Sequence, residues 1–233
     1  MNRQLLLEII PAPEPTLDST VIGENAAAVD AARGLQAGRA LYFWGPPGSG
    51  RSHLLRALAQ QTPSIYLDSA STPEIMMSLA TSNEPDSHKL VVVDDIQDMS
   101  EDQQACVFAL YNRWRACATT ESAFALAVTG DRAPMVMPLR EDLRTRLGWD
   151  LVFRLEPLSD RDKFAALKTY AEGQGLPLSS EVLDWMLIHY SRDIRQLFAL
   201  VDALDQYSLS KHRTVTVPLL RTMLTDRDFL QST

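Results

Sequence analysis

The sequence is sparing with the residues that mark exported or metal-bound proteins. It has two cysteines, Cys106 and Cys117. The apolar spacing around them predicts that both lie on one helix. The eleven-residue step between them then spans about 16 Å, whereas a disulfide needs Cα atoms within about 7 Å. An intrachain bridge is excluded on that reading, and a reducing cytosol fits. No Cys/His spacing suggests a metal centre, and His53, His88, His189 and His212 form no cluster. No stretch approaches the ~20 apolar residues of a membrane span. The run Leu5-Leu6-Leu7 is interrupted by Glu8 and stopped by Pro11, too short and too broken for a signal peptide. The expectation is a soluble, cytoplasmic protein with no membrane partner. Positive charge is also scarce: 22 Lys and Arg stand against 30 Asp and Glu, a net charge of -8. A dedicated DNA-binding module usually carries a basic face, so the balance argues against one while leaving room for a local patch, and DNA is expected as an indirect partner only.

What is present suits one large domain and a small one. The 233 residues are 45% hydrophobic and 22% charged, enough to bury a core. Residues 1–15 read as an apolar segment on a tether, stiffened by Pro11, Pro13 and Pro15. Residues 16–156 alternate apolar runs with helical patterns. The runs are residues 40–44, 64–67, 90–93, 124–128 and 151–155. They lack polar alternation, as strands covered on both faces do. Between them Val107, Leu110, Tyr111 and Trp114 mark a helix, with Ser100-x-x-Gln103 at capping-box spacing. Met76 and Met77 read as helix packing. Residues 157–233 read as a small helical domain. Ser159-x-x-Asp162, Ser180 and Asp193 open its helices, residues 215–217 suggest a short strand, and Pro218 sits at the first position of a last helix.

Gly45-Pro46-Pro47-Gly48-Ser49-Gly50-Arg51-Ser52 follows an apolar run and precedes the helical residues Leu54, Leu55 and Leu58. It has the form of a phosphate-binding loop in the strand–loop–helix setting that such a loop requires. Glycines let backbone N–H groups curl around phosphate oxygens, and the helix N-terminus adds positive dipole. Ser52 is placed to ligate Mg²⁺. Arg51 stands where Lys is usual, keeping the charge but longer and planar. Val91-Val92-Val93-Asp94-Asp95 puts two acids at a strand end, where ligands of open α/β sheets bind. There Asp94 would hold Mg²⁺ through water and Asp95 would polarise an attacking water. Asp95 is one methylene shorter than Glu, so any hydrolysis is expected to be weak. Asp131 ends another apolar run, and Arg195 opens the third helix of the second domain. Arg144 and Arg146 precede Leu147-Gly148-Trp149, where they form a solvated edge or face a partner's nucleotide.

Together these residues resemble the AAA+ superfamily, and within it the nucleotide-binding domain of the replication initiator DnaA, over about residues 16–225. Residues 93–97 resemble its acidic strand, Thr129-Gly130-Asp131-Arg132 its sensor 1, and Arg144-Thr145-Arg146-Leu147-Gly148-Trp149 its box VII. Asp193-Ile194-Arg195-Gln196-Leu197 resembles its sensor 2. Leu17, Val21 and Ile22 resemble the segment that cups the base. The expectation from this sequence is a protein with neither the N-terminal oligomerisation domain nor the C-terminal helix-turn-helix of that initiator. The chain is therefore more similar to the short DnaA-related regulators of the Hda family. Gly50-Arg51-Ser52-His53-Leu54-Leu55, Leu110-Tyr111-Asn112-Arg113 and the segment Gln4-Leu5-Leu6-Leu7-Glu8-Ile9 carry that likeness.

The resemblance implies an α/β P-loop domain with a five-stranded parallel sheet in the order 5-1-4-3-2 and a helical lid. It implies ADP or ATP with Mg²⁺ at residues 45–53, including His53, with Asp94, Asp95, Asp131 and Arg195. It makes Arg146 an arginine finger acting in trans. It also implies a sliding-clamp contact (the DNA polymerase III β subunit) through Gln4, Leu5, Leu6, Leu7 and Ile9, and DnaA as the partner whose ATP is hydrolysed. Self-association into a homodimer stays open. So do three rival readings: an autonomous P-loop ATPase, a DNA-binding initiator fragment, and a clamp-bound adaptor with a structural nucleotide.

Overall fold

The structure, a computed structural model, describes residues 14–82 and 88–226. Residues Pro15–Pro157 form one compact unit, and residues 158–226 belong to a second.

The first unit is a parallel sheet flanked by helices. Its elements run α1 (Ala26–Arg33), β1 (Ala40–Trp44), α2 (Arg51–Ala59), β2 (Ser64–Leu67), α3 (Pro73–Thr81), β3 (Leu90–Val93), α4 (Glu101–Cys117), β4 (Ala125–Gly130), α5 (Glu141–Leu147) and β5 (Leu151–Arg154). The strands lie in the order β2-β3-β4-β1-β5, which is the expected order read from the other edge, and every pairing is parallel. The register sets Tyr42 beside Val128 and Val152, and Val91 beside Leu126.

Because side chains alternate along a strand, the central strands feed two cores. Tyr42, Val91, Val93, Leu126 and Val128 pack with Met76, Val107, Leu110, Trp114, Leu143 and Leu147 from α3, α4 and α5. Leu41, Phe43, Leu90, Val92, Ala125 and Ala127 pack on the other face with Val29, Leu54, Leu55 and Leu58 from α1 and α2. Every residue of β3 and β4 is buried, which is why those runs lack polar alternation. At the edge, β5 leaves Leu151 41% and Val152 38% exposed.

The caps form as the sequence implies. Ser100 and Gln103 make a reciprocal capping box at α4, which carries both cysteines. Met76 is buried, whereas Met77 is 38% exposed. One turn of helix cannot point adjacent side chains the same way, so only the first is packing.

The second unit holds α6 (Asp160–Gly173), α7 (Ser180–His189), α8 (Ile194–Lys211) and α9 (Val217–Met223). Ser159, Ser179, Asp193 and Thr216 cap them with side-chain acceptors. Leu197, Leu200, Val201 and Leu204 form the buried stripe of α8. The strand expected over residues 215–217 is absent. Thr216 instead accepts from the Leu219 backbone N–H and starts α9, and Pro218 falls at the second position of that helix. Three branched residues have strand propensity, but with a hydroxyl cap and a proline beside them the helix start wins. Among the described residues no helix is long and apolar enough to cross a membrane.

Candidate functional site

The phosphate-type loop leaves β1 at Trp44 and enters α2 at Arg51. Its glycines have distinct jobs. A Cβ on Gly45 would stand 2.3 Å from the Leu155 carbonyl oxygen and 2.7 Å from Ser49 Oγ, so nothing larger fits. Gly48 and Gly50 have φ of 80° and 91°, the left-handed region that only glycine enters freely. Open space lies where their side chains would be. Ser49 is buried and its Oγ has no hydrogen-bond partner. A glycine cradle with an orphaned hydroxyl fits phosphate oxygens. The donors placed for a cation, Ser52 and Asp94, are both oxygen ligands and suit a hard ion such as Mg²⁺.

Arg51 does not extend into that cradle. Its guanidinium donates to the Gly45 and Gly130 carbonyls and pairs with Asp95 Oδ1 at 2.9 Å. The side chain is only 11% exposed. The ends of β1, β3 and β4 are thus tied together by one cation.

Asp95 sits at φ 48°, unusual for a residue with a Cβ. Its backbone N–H donates to Thr129 Oγ1 at 2.8 Å. Burial, the largest influence, pushes its carboxyl above the ordinary value, while a bond with Gln97 and the charge of Arg51 pull it down. Asp94 accepts from the Tyr66 hydroxyl on Oδ2 and from Thr129 Oγ1 on Oδ1 at 2.6 Å. Burial and the bond to Asp94 push the Tyr66 hydroxyl well above its usual range. Thr129 therefore serves both acids from β4, donating to one and accepting from the next.

Asp131 follows β4. Its N–H donates to Gln97 Oε1 at 3.0 Å and its carboxylate pairs with Arg132 at 2.6 Å. Tyr42 donates to the Arg132 carbonyl at 2.8 Å, and a Cβ on Gly130 would strike that hydroxyl at 2.1 Å.

Leu17 is 1% exposed and belongs to the core against α1 and α2, so its side chain is a core residue. Val21 and Ile22 are half-buried. Thr20 Oγ1 lies 3.4 Å from His53 Nε2, linking this segment to the first turn of α2.

Arg195 lies in the second unit, where it bonds and pairs with Asp193 at 2.9 Å. Arg146, on α5, stacks over Trp149 at 3.7 Å and over Phe108 at 5.0 Å from the ring centroids. Arg144 reaches the Met135 carbonyl at 3.5 Å. Gln4, Leu5, Leu6, Leu7 and Ile9 lie outside the described residues.

Sequence reasoning missed Tyr66, Gln97, Thr129 and Thr20. Thr129 and Gln97 stood inside the quoted stretches. Their role depends on strand register, which brings β3 beside β4. Nothing local to Tyr66 points to Asp94.

Comparison with known proteins agrees with this geometry. The family described as "Hda, lid domain" matches residues 160–224. An uncharacterised protein of Haemophilus influenzae is 30% identical over 235 residues, covering 96% of this chain and 99% of that one. Domain III of the Thermotoga maritima replication initiation protein DnaA superposes with a TM-score of 0.64 at 22% identity, covering 95% of this chain and 99% of that one. AMPPCP-bound DnaA from Aquifex aeolicus superposes with a TM-score of 0.63 at 20% identity, covering 93% of this chain and 70% of that one. Residues 160–224 belong to the Hda lid-domain family, and the chain as a whole has the fold of DnaA domain III.

Proposed function

We propose that this protein is a nucleotide-binding regulator of replication initiation that promotes ATP hydrolysis on DnaA. Residues 4–9 hold it at the sliding clamp of DNA polymerase III. Its own loop carries ADP with Mg²⁺ on the backbone of residues 45–52, with Ser52 and Asp94 as the cation's protein-side contacts and Asp131 and Arg195 as sensing residues. Arg146 acts on the triphosphate of ATP-bound DnaA. An arginine supplied in trans stabilises the charge of phosphoryl transfer, and the tether raises the effective concentration of the body at the clamp.

The observation that carries this reading is the contrast between two arginines. Arg51, the loop's cation, is tied to Asp95, the acid that would polarise water on this chain. Arg146 is held by aromatic rings and pairs with no carboxylate among the described residues. That arrangement supports weak turnover by the chain itself and a half-buried Arg146 guanidinium that no carboxylate among the described residues neutralises. The family match and the nucleotide-bound DnaA neighbour support the partner and the ligand class.

The test is hydrolysis of radiolabelled ATP pre-bound to DnaA, with clamp-loaded DNA, with and without this protein. A parallel sample lacks residues 1–10. Clamp-dependent conversion to ADP that disappears with the truncation supports the reading. No conversion, with active DnaA and a verified clamp, overturns it.

A further inference from the structure

Trp149 lies under two guanidinium groups. The Arg146 carbon is 3.7 Å from the indole centroid and the Arg115 carbon is 4.7 Å from it. Phe108 contributes a second ring to Arg146 at 5.0 Å. Phe108 and Arg115 come from α4, two turns apart on one helix. Arg146 comes from α5, and the Trp149 backbone N–H donates to the Arg146 carbonyl at 3.1 Å. Both rings are half-buried and pack against the core on that face of the sheet. The platform is therefore fixed, whereas Arg115 itself is exposed.

Neither arginine has a carboxylate partner among the described residues. An ion pair would occupy guanidinium N–H groups. A stack fixes the plane of the group and leaves its edge donors for another acceptor. Two cations beside one ring also repel each other, and negative charge brought to them relieves that repulsion. A ligand with several charged oxygens suits the pair better than a single carboxylate, because each guanidinium can then take its own oxygen.

We propose that Trp149 is a positioning residue for Arg146, and that Arg115 is a second phosphate-contacting residue of the same site. The ligand class is the polyphosphate of a nucleotide bound to a partner AAA+ domain. This inference rests on the reading of Arg146 as acting in trans and adds to it both the device that aims the finger and a second cation.

The experiment uses the full chain and the variants Arg146→Ala, Trp149→Leu, Trp149→Phe and Arg115→Ala. Side-chain Nε–H resonances of ¹⁵N-arginine-labelled protein report the stacking without any partner, because an indole shifts protons over its face upfield. Two shifted signals are expected in the parent, assigned by their loss in Arg146→Ala and Arg115→Ala, and both should return to the ordinary position in Trp149→Leu. Clamp-dependent hydrolysis of DnaA-bound ATP is then measured against regulator concentration. Trp149→Leu is expected to lower the plateau about fivefold, and Trp149→Phe, which keeps a ring, to restore it to within about twofold. Arg115→Ala is expected to raise the half-saturating concentration about threefold and to flatten its salt dependence.

Absence of shifted signals in the parent overturns the positioning role. So does a parent-level plateau in Trp149→Leu once the signals have moved, and the trans role of Arg146 then stands. An unchanged half-saturation and salt dependence in Arg115→Ala overturns the second cation alone. Full hydrolysis with Arg146→Ala overturns the finger reading itself, and this inference with it.

Discussion

Arg51 and Asp95 are ion-paired at 2.9 Å across the ends of β1, β3 and β4, with the arginine also donating to the Gly45 and Gly130 carbonyls. The residue that the phosphate loop supplies as its cation is thereby part of the loop's own scaffold. Arg51→Ala removes a donor from the Gly45 and Gly130 carbonyls, the latter keeping the Gly45 N–H, and takes the cation away from a partly buried carboxylate. The expected cost is about 1–3 kcal/mol by urea denaturation. Arg51→Lys keeps the charge but cannot bridge three acceptors in one plane, so it should recover only part of that loss. Equal stability of the alanine variant and the parent would show that the pair is incidental.

Gly45 and Gly48 differ in why they are glycine. Gly45→Ala drives a Cβ into the Leu155 carbonyl, which is backbone and cannot swing away. Gly48→Ala meets open space and is disfavoured only by its φ of 80°, a strain of about 1–2 kcal/mol. Thermal unfolding should rank Gly45→Ala well below Gly48→Ala, and the reverse order would refute the close approach.

Thr129 serves both acids of the site. Thr129→Val keeps the shape but removes the donor to Asp94 and the acceptor for the Asp95 N–H. In a fully buried position the expected loss is about 1–3 kcal/mol. Binding of a fluorescent ADP analogue should weaken as Asp94 loses its orientation, and unaltered affinity would separate the acid pair from the nucleotide site.

Asp150 joins the start of β1 to β5. Arg39 donates to both its oxygens at 2.7 and 2.6 Å, and the Ala40 N–H adds a third bond. The Arg39 guanidinium, the larger influence, holds the Asp150 carboxyl below its ordinary value. A depressed acid binds protons more weakly folded than unfolded. Its contribution is thus complete above the ordinary carboxylate range and fades as pH falls through the folded value. Arg39→Ala should lower the unfolding midpoint at pH 7, with the difference from the parent shrinking as pH falls below the ordinary carboxylate range and through the depressed folded value. A difference constant with pH would mean that the pair contributes through packing alone.

Much of the architecture was legible because it is locally encoded. Apolar runs bounded by glycine, proline and aspartate marked all five strands, and Ser100 with Gln103 fixed a helix start before any packing is considered. The failures came where two local preferences compete or where neighbours decide. Residues 215–217 carry strand propensity and a helix cap at once, and Met76 and Met77 are chemically identical until the helix turns one of them outward.

The sequence by itself determined the loop, the acids after β3 and the order of elements, because glycine backbone freedom and hydrophobic periodicity act within a few residues. Only the tertiary structure decided what those groups touch. Strand register placed Thr129 between Asp94 and Asp95 and turned Arg51 onto Asp95. Packing of α4 on α5 set Arg146 between Phe108 and Trp149. Apart from Trp149, which follows Arg146 by three residues, those partners are tens of residues apart along the chain. Hydrogen bonds, stacks and ion pairs reach only a few ångströms, so nothing short of folding could have brought them together.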